Sequence, residues 1–357
     1  MAQKINIRIL STLIISNKRG PIMGKIISFI NYKGGVGKTT TTYHIGCALA
    51  LYHNKKILLI DTDPQANLTF LCTIPEQWEI FKRNHGTISE LFNSYLKDTA
   101  NSFDIEKIIW KSPIQQAAKE AVPNLDLIPS DVELLGIDID LAAKTRMKNE
   151  KGFYQEQIHI LRRAIKRIKN ELGIDTSCDF RDAFFYIKQR HILRKALDRV
   201  KDIYDYILID CPPNLYLATQ NSLFASDYYM ITTIPDHLST IGISILIKKI
   251  TDLNTTITQK YRIIGADAES VILKGLLFTM IRKSGPNIVS TFKERMQSLH
   301  KDYDTLCFEQ YISLGTGYTE AAASALPVFL ANDSNSIRVA SEYKEVTNEF
   351  LQKVDGN

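Results

Sequence analysis

The chain has 357 residues, 45% hydrophobic and 23% charged, a globular composition that excludes a mainly disordered chain or a collagen-like fibre. Its apolar runs fall well short of the roughly 20 residues a membrane-spanning helix needs. The five cysteines (Cys47, Cys72, Cys178, Cys211, Cys307) are scattered and form no CxxC pair, which disfavours disulfide or cysteine–zinc frameworks and points to the cytosol. The net charge of +5 is unevenly placed: residues 144–201 hold 16 Lys/Arg against 7 Asp/Glu, a net of +9, so the remainder is −4.

Residues 1–22 read as a flexible N-terminal extension, with no small-residue cleavage site after their interrupted apolar stretch. Residues 26–30 are a short apolar run followed by turn residues, the pattern of a buried strand. A glycine-rich loop leads into a helix rich in Ala, Leu and Ile at 39–52, and KILLI at 56–60 is a second buried strand. Further strands are expected at 125–128, 206–209, 228–232 and 275–279, with helices at 88–96, 217–224, 241–253, 288–299 and 336–353. Strands alternating with helices predict an α/β fold, a mostly parallel twisted sheet with helices on both faces, over residues 23–357.

The basic segment interrupts this alternation. Ile158, Leu161, Ile165, Ile168 and Leu172 recur at spacings of three and four, an apolar helical seam, and Arg162, Arg163, Lys166 and Arg167 occupy its other faces. A second helical stretch at about 182–201 completes a basic helical hairpin inserted at about 144–201. The seam is packing; the charged face is a candidate surface for a polyanion, for a protein partner, or for covering a ligand.

The strongest chemical signal is Lys33-Gly34-Gly35-Val36-Gly37-Lys38-Thr39-Thr40, between a strand and a helix. Glycines there let backbone N–H groups approach phosphates, and the helix N-terminus adds its positive dipole end. Lys38 is placed for β- and γ-phosphate oxygens, and Thr39 for Mg²⁺. Tyr32 stands where the ordinary GxxxxGK[ST] loop has glycine, so the loop is a variant carrying an extra lysine, Lys33. Carboxylates follow two strands, Asp61 and Asp63 after the second and Asp210 after the strand at 206–209, where ligands bind in open α/β sheets. Cys211, next to Asp210, reads as a small buried residue.

These residues resemble the ParA/MinD family of deviant Walker A P-loop ATPases. KGGVGKTT follows IISFINY; IDTDPQAN (60–67) resembles the family's DxDPQxN segment; LDLIPSDVELL (125–135) resembles its third strand; YDYILIDCPP (204–213) resembles its Walker B strand and switch; residues 323–329 and 336–350 resemble its C-terminal end. The likeness runs from about residue 23 to 351, minus the basic insertion, and the partition branch fits best. It implies a weak ATPase using ATP and Mg²⁺. Lys33 would reach the partner's phosphates across an ATP-sandwich homodimer. Asp63 would position the attacking water, Asp61 would lie near the Mg²⁺ shell, and Asp210 would hold Mg²⁺ through water. It further implies non-specific duplex DNA binding on the nucleoid, release by a ParB-like adaptor that stimulates hydrolysis, and no membrane contact.

The likeness thins late in the chain. FEQYISLG (308–315) lacks the arginines expected of a DNA-binding edge; Arg282 and Lys283 stand in for part of it, and the basic insertion for the rest. The adenine contacts have no assignment, and no NKxD guanine-reading motif occurs. A MinD-like membrane regulator would need a basic terminal helix, whereas residues 341–357 are acidic. A reductase on this scaffold would need paired cysteines for an iron–sulfur cluster. A nucleotide switch for a protein assembly without DNA is the alternative that keeps the fold.

Overall fold

The computed structural model describes residues 24–114, 122–147, 179–315, 317 and 326–356. The expected extension at 1–22, the apolar seam at 158–172 and Arg162, Arg163, Lys166 and Arg167 lie outside these residues. The chain begins with β1 (Lys25–Ile30), α1 (Lys38–His53), β2 (Ile57–Asp61), α2 (Asn67–Cys72), α3 (Pro75–His85), α4 (Ile88–Leu96), β3 (Trp110–Lys111), β4 (Leu125–Ile128) and α5 (Leu134–Met147). It continues with α6 (Asp179–Arg190), α7 (Ile192–Leu197), β5 (Tyr206–Asp210), α8 (Leu217–Ala225), β6 (Tyr228–Thr233), α9 (His237–Ile263) and β7 (Ile272–Ile281). It closes with β8 (Lys283–Ser284), β9 (Asn287–Ile288), α10 (Ser290–Tyr303), β10 (Cys307–Ser313) and α11 (Ser334–Asp355).

Among the described residues, eight strands form one sheet in the order β10-β7-β6-β1-β5-β2-β4-β3, and β8 and β9 make a separate ribbon. Neighbours in the large sheet run parallel except β3, which is antiparallel to β4. Strands buried on both faces need continuous apolar runs, and ILLID of β2 and YILID of β5 are buried throughout. One face is covered by α1, α2 and α11 through Tyr43, Ile45, Leu49, Leu68, Tyr343 and Phe350. The other is covered by α4, α5, α7, α8, α9 and α10 through Phe92, Leu141, Leu193, Leu223, Leu246 and Leu299. This is the expected α/β architecture of a P-loop NTPase. In register, Asp210 of β5 lies beside both Phe29 of β1 and Asp61 of β2. The parallel pairing thus delivers two carboxylates to the strand ends flanking the glycine-rich loop.

The helices α2, α3 and α5 and the short strands β3, β8 and β9 have no expected counterpart, and three further differences have a visible cause or extent. The helix expected at about 182–201 is broken at His191, because Asn221 of α8 serves both sides of the break. Its Oδ1 accepts the N–H groups of Ile192 (2.9 Å) and Leu193 (3.3 Å), and its Nδ2 donates to the Gln189 carbonyl (3.0 Å). Leu193, Leu197 and Val200 enter the main core and α6 packs on α9 through Ala183, Ile187, Ile257 and Tyr261, so the end of the basic segment belongs to the body of the fold. The helix expected at 241–253 runs from His237 to Ile263. Finally, β10 has no counterpart among the expected strands: its centre, Glu309-Gln310, faces solvent at the sheet edge, and its pairing with β7 shifts register.

Candidate nucleotide site

The loop between β1 and α1 is shaped by two left-handed glycines, Gly35 (φ 70°) and Gly37 (φ 73°), a region costly for residues with a Cβ. Gly37 is the N-cap of α1 and offers no side-chain acceptor, so the orphan N–H groups of the first turn are left for an anion. Two side chains fasten the loop. Asn31 donates to the Thr232 carbonyl (2.7 Å) and accepts the Lys33 N–H (2.9 Å). From β7, Thr279 Oγ1 donates to the Val36 carbonyl at 2.7 Å, with the Thr233 carbonyl at 3.3 Å. The next residue, Met280, is itself left-handed at φ 55°, a strained backbone for an unbranched residue in a strand.

Lys38, Thr39 and Asp210 form one cluster. Asp210 is fully buried; its Oδ1 lies 3.4 Å from Lys38 Nζ, and its Oδ2 accepts from Thr39 Oγ1 at 2.7 Å. Burial works to discharge the Lys38 ammonium, but the carboxylates of Asp210 and Asp63 outweigh it and raise its pKa above the ordinary value. The cation is therefore held ready inside the cleft. Cys211 is buried, and burial pushes its thiol up to about 12, so it is inert filling as expected.

The two carboxylates after β2 have separate surroundings. Asp61 is spent on the following loop: Oδ1 accepts the Asp63 N–H (3.0 Å), and Oδ2 accepts both the N–H (2.9 Å) and the hydroxyl (2.8 Å) of Thr69. Burial, reinforced by the Asp210 charge, raises its carboxyl to about 7 against those bonds. Of the carboxylates expected near the metal, only Asp210 touches Thr39; Asp61 shapes the segment that carries Asp63. That segment closes as a turn, with Ala66 left-handed (φ 54°) and its N–H on the Asp63 carbonyl at 2.9 Å. Asp63 accepts the Gln65 N–H (3.0 Å) and lines the cleft.

The cleft, about 510 Å³, is lined by residues 33–40 together with Asp63, Gln65, Asn67, Phe70, Leu71 and Pro213. Its size suits a nucleotide-sized ligand. Lys33 leaves the loop sideways: its Nζ lies 2.5 Å from Asp236 Oδ2 and 3.3 Å from Ser239 Oγ, at the start of α9. Among the described residues no cluster of three or more His, Cys, Asp or Glu could hold a metal unaided. Thr39 and Asp210 fit Mg²⁺, which takes few protein ligands and completes its shell with phosphate and water. Arg282 and Lys283 follow β7. Arg282 is exposed, but Lys283 Nζ is 3.5 Å from Glu342 Oε1 and lies over the Tyr311 ring.

The sequence reading did not single out Asn31, Thr69, Asp236 or Thr279. Asp236 carries a local signal, a helix N-cap spacing to Ser239. Thr279 has none beyond being a hydroxyl at a strand end.

A family model described as an AAA domain (AAA_31) matches residues 24–177 and 178–263. The sporulation initiation inhibitor protein Soj of Bacillus subtilis is 28% identical over 328 residues, covering 92% of this chain and 98% of Soj. A plasmid partition protein from Borrelia burgdorferi, solved bound to AMPPNP, superposes with a TM-score of 0.57 at 22% identity over 93% of this chain and 99% of that one. A substituted McdA from Cyanothece, solved in complex with ATP, superposes at 0.60 with 17% identity, over 93% and 96% of the two chains. Both superpositions bear on the fold alone.

Proposed function

The chain belongs to the ParA-type P-loop ATPases, and from that premise we propose that it is an ATP-driven switch that positions or segregates DNA. The observation that carries the reading is the cleft itself: a lysine-bearing variant loop, with Lys38, Thr39 and Asp210 in one hydrogen-bonded cluster and Asp63 in the same lining. ATP lies with its phosphates on the N–H groups of residues 34–40. Lys38 exchanges part of its interaction with Asp210 for the β- and γ-phosphates. Thr39 and Asp210 would hold Mg²⁺, which would neutralise phosphate charge when bound. Asp63 orients the attacking water, and Asp61 acts through the Asp63 and Thr69 backbone rather than on the metal. Lys33 reaches the phosphates of a second subunit, so hydrolysis requires the homodimer.

In the ATP state the dimer binds duplex DNA without sequence preference on the nucleoid, in the cytoplasm, and a ParB-like adaptor releases it by stimulating hydrolysis. Basic residues of the segment 144–201, among them Arg162, Arg163, Lys166 and Arg167, and the exposed Arg282 supply the phosphate contacts. A membrane-surface role has little support. Val339, Tyr343, Val346, Phe350 and Val354 spend the apolar face of α11 on the core, and no described helix is long and apolar enough to cross a membrane.

One observation favours a second reading, a nucleotide switch for a protein assembly that does not bind DNA. The edge where free basic residues were expected has its cations engaged: Glu342 pairs with Lys283 and Arg338, and Glu349 pairs with Lys353 while accepting the N–H groups of Glu309 and Gln310. Fluorescence anisotropy on duplex DNA, with ATP, ADP or no nucleotide at two salt concentrations, separates the readings. Binding only with ATP, weakened by salt and by reversing the charge of Arg162, Arg163, Lys166 and Arg167, supports the first. Absence of binding in every nucleotide state leaves the second.

A further inference from the structure

The two lysines of the loop are held in opposite ways. Lys38 points into the cleft, onto Asp210. Lys33 is drawn away from it, onto the cap of α9, at a residue 203 positions along the chain. The pairing is braced from both sides by β6. Asn31, which fixes the Lys33 N–H, is tied to the Thr232 carbonyl, and Asp236 sits in the tight turn that leaves the same strand, its N–H on the Ile234 carbonyl at 2.8 Å. The Asp236 carboxylate divides its work between two oxygens. Oδ1 accepts the Ser239 N–H at 2.8 Å and caps α9; Oδ2 accepts Lys33 at 2.5 Å. Burial would push this carboxyl up, but the bonds from Lys33 and Ser239 hold it below the ordinary value.

We propose that Asp236 is a positioning residue that holds Lys33 on its own subunit until the phosphates of a second subunit displace it. The inference rests on the reading of Lys33 as a residue that acts across the dimer. Both partners are partly exposed, at 41% and 35%, so the pair is exchangeable rather than locked. A partner's triphosphate offers Lys33 more negative charge than one carboxylate. In a two-fold dimer both copies of the pair must open, so Asp236 opposes assembly twice.

Asp236→Asn isolates this role. The amide oxygen still accepts the Ser239 N–H and keeps the cap, while the amide nitrogen cannot accept from Lys33. Sedimentation velocity with AMPPNP and Mg²⁺ should show Asp236→Asn dimerising about two- to thirtyfold more tightly than the unmodified chain, from two exposed pairs of the usual strength. That advantage should shrink as salt screens the pair. Acetylation of the nucleotide-free chain, read by mass spectrometry, should modify Lys33 faster in Asp236→Asn. If the unmodified chain dimerises but Asp236→Asn dimerises equally or less at a matched melting temperature, the inference falls and the trans role of Lys33 stands. Tighter dimers with unchanged Lys33 acetylation would also overturn it, since Asp236 would then act as a plain charge. If neither protein dimerises, the trans role fails and takes this inference with it.

Discussion

Replacing Lys38 by Met keeps the aliphatic stem and removes one charge. Lys38 is 8% exposed and Asp210 is fully buried, so the change strands a carboxylate in the sheet. Removing one partner of a buried pair costs about 3–5 kcal/mol. The 3.4 Å separation and the retained 2.7 Å bond from Thr39 place this case at the lower end, about 3 kcal/mol. Adding Asp210→Asn removes the stranded charge, and the double variant should return to within about 1 kcal/mol of the parent. Nucleotide affinity should not return. The phosphate loses a charge-assisted donor worth about 1.5–3 kcal/mol, a roughly 10- to 100-fold weakening in both variants. Urea unfolding of the four proteins of this cycle measures the first effect, and titration with a fluorescent ATP analogue the second. A double variant as unstable as the sum of its parts would refute the pairing, and unchanged affinity in Lys38→Met would refute the site.

Asp63→Ala should retain ATP binding and ATP-dependent dimers but stop turnover, measured by phosphate release; a normal rate would reject its role with the attacking water. Thr279→Val should leave the Val36 carbonyl without its donor, costing about 1–2 kcal/mol of stability and loosening ATP binding, read by urea unfolding and titration. His44 of α1, stacked on Tyr343 and facing the Val328 N–H, is lowered by burial to about 4 from 6.5, against the opposing bond to Thr40. The unfolded chain therefore takes up the proton first. Stability present above pH 6.5 should be lost as the pH falls toward 4, by about 3 kcal/mol. His44→Gln should flatten that part of the stability profile, and an unchanged slope would show that His44 is not its source.

What was legible in the sequence was local. KGGVGKTT fixes its own backbone through Gly35 and Gly37, and ILLID and YILID can only be buried strands, so the loop, its flanks and the carboxylates at the strand ends follow from short windows. The residues that were missed act across the chain. Thr279 reaches Val36 over 243 positions and Asp236 reaches Lys33 over 203, and no periodicity encodes either contact. Asp61 shows the same limit at close range. Its place at a strand end does not reveal that three donors from Asp63 and Thr69 bind its carboxylate to the following loop. β10 was invisible because an edge strand with Glu309 and Gln310 outward and a shifted register has no clean alternation. The break at His191 depends on one side chain, Asn221, from a different helix.

The most direct test of an ATP switch built on Lys33 is the oligomeric state by sedimentation velocity in Mg²⁺ with ATP or ADP, for the unmodified chain and for Lys33→Ala. The expected result is a dimer with ATP, a monomer with ADP, and a monomer in both for Lys33→Ala despite retained ATP binding. A chain that saturates with ATP and stays monomeric, or a Lys33→Ala variant that dimerises normally, would contradict it.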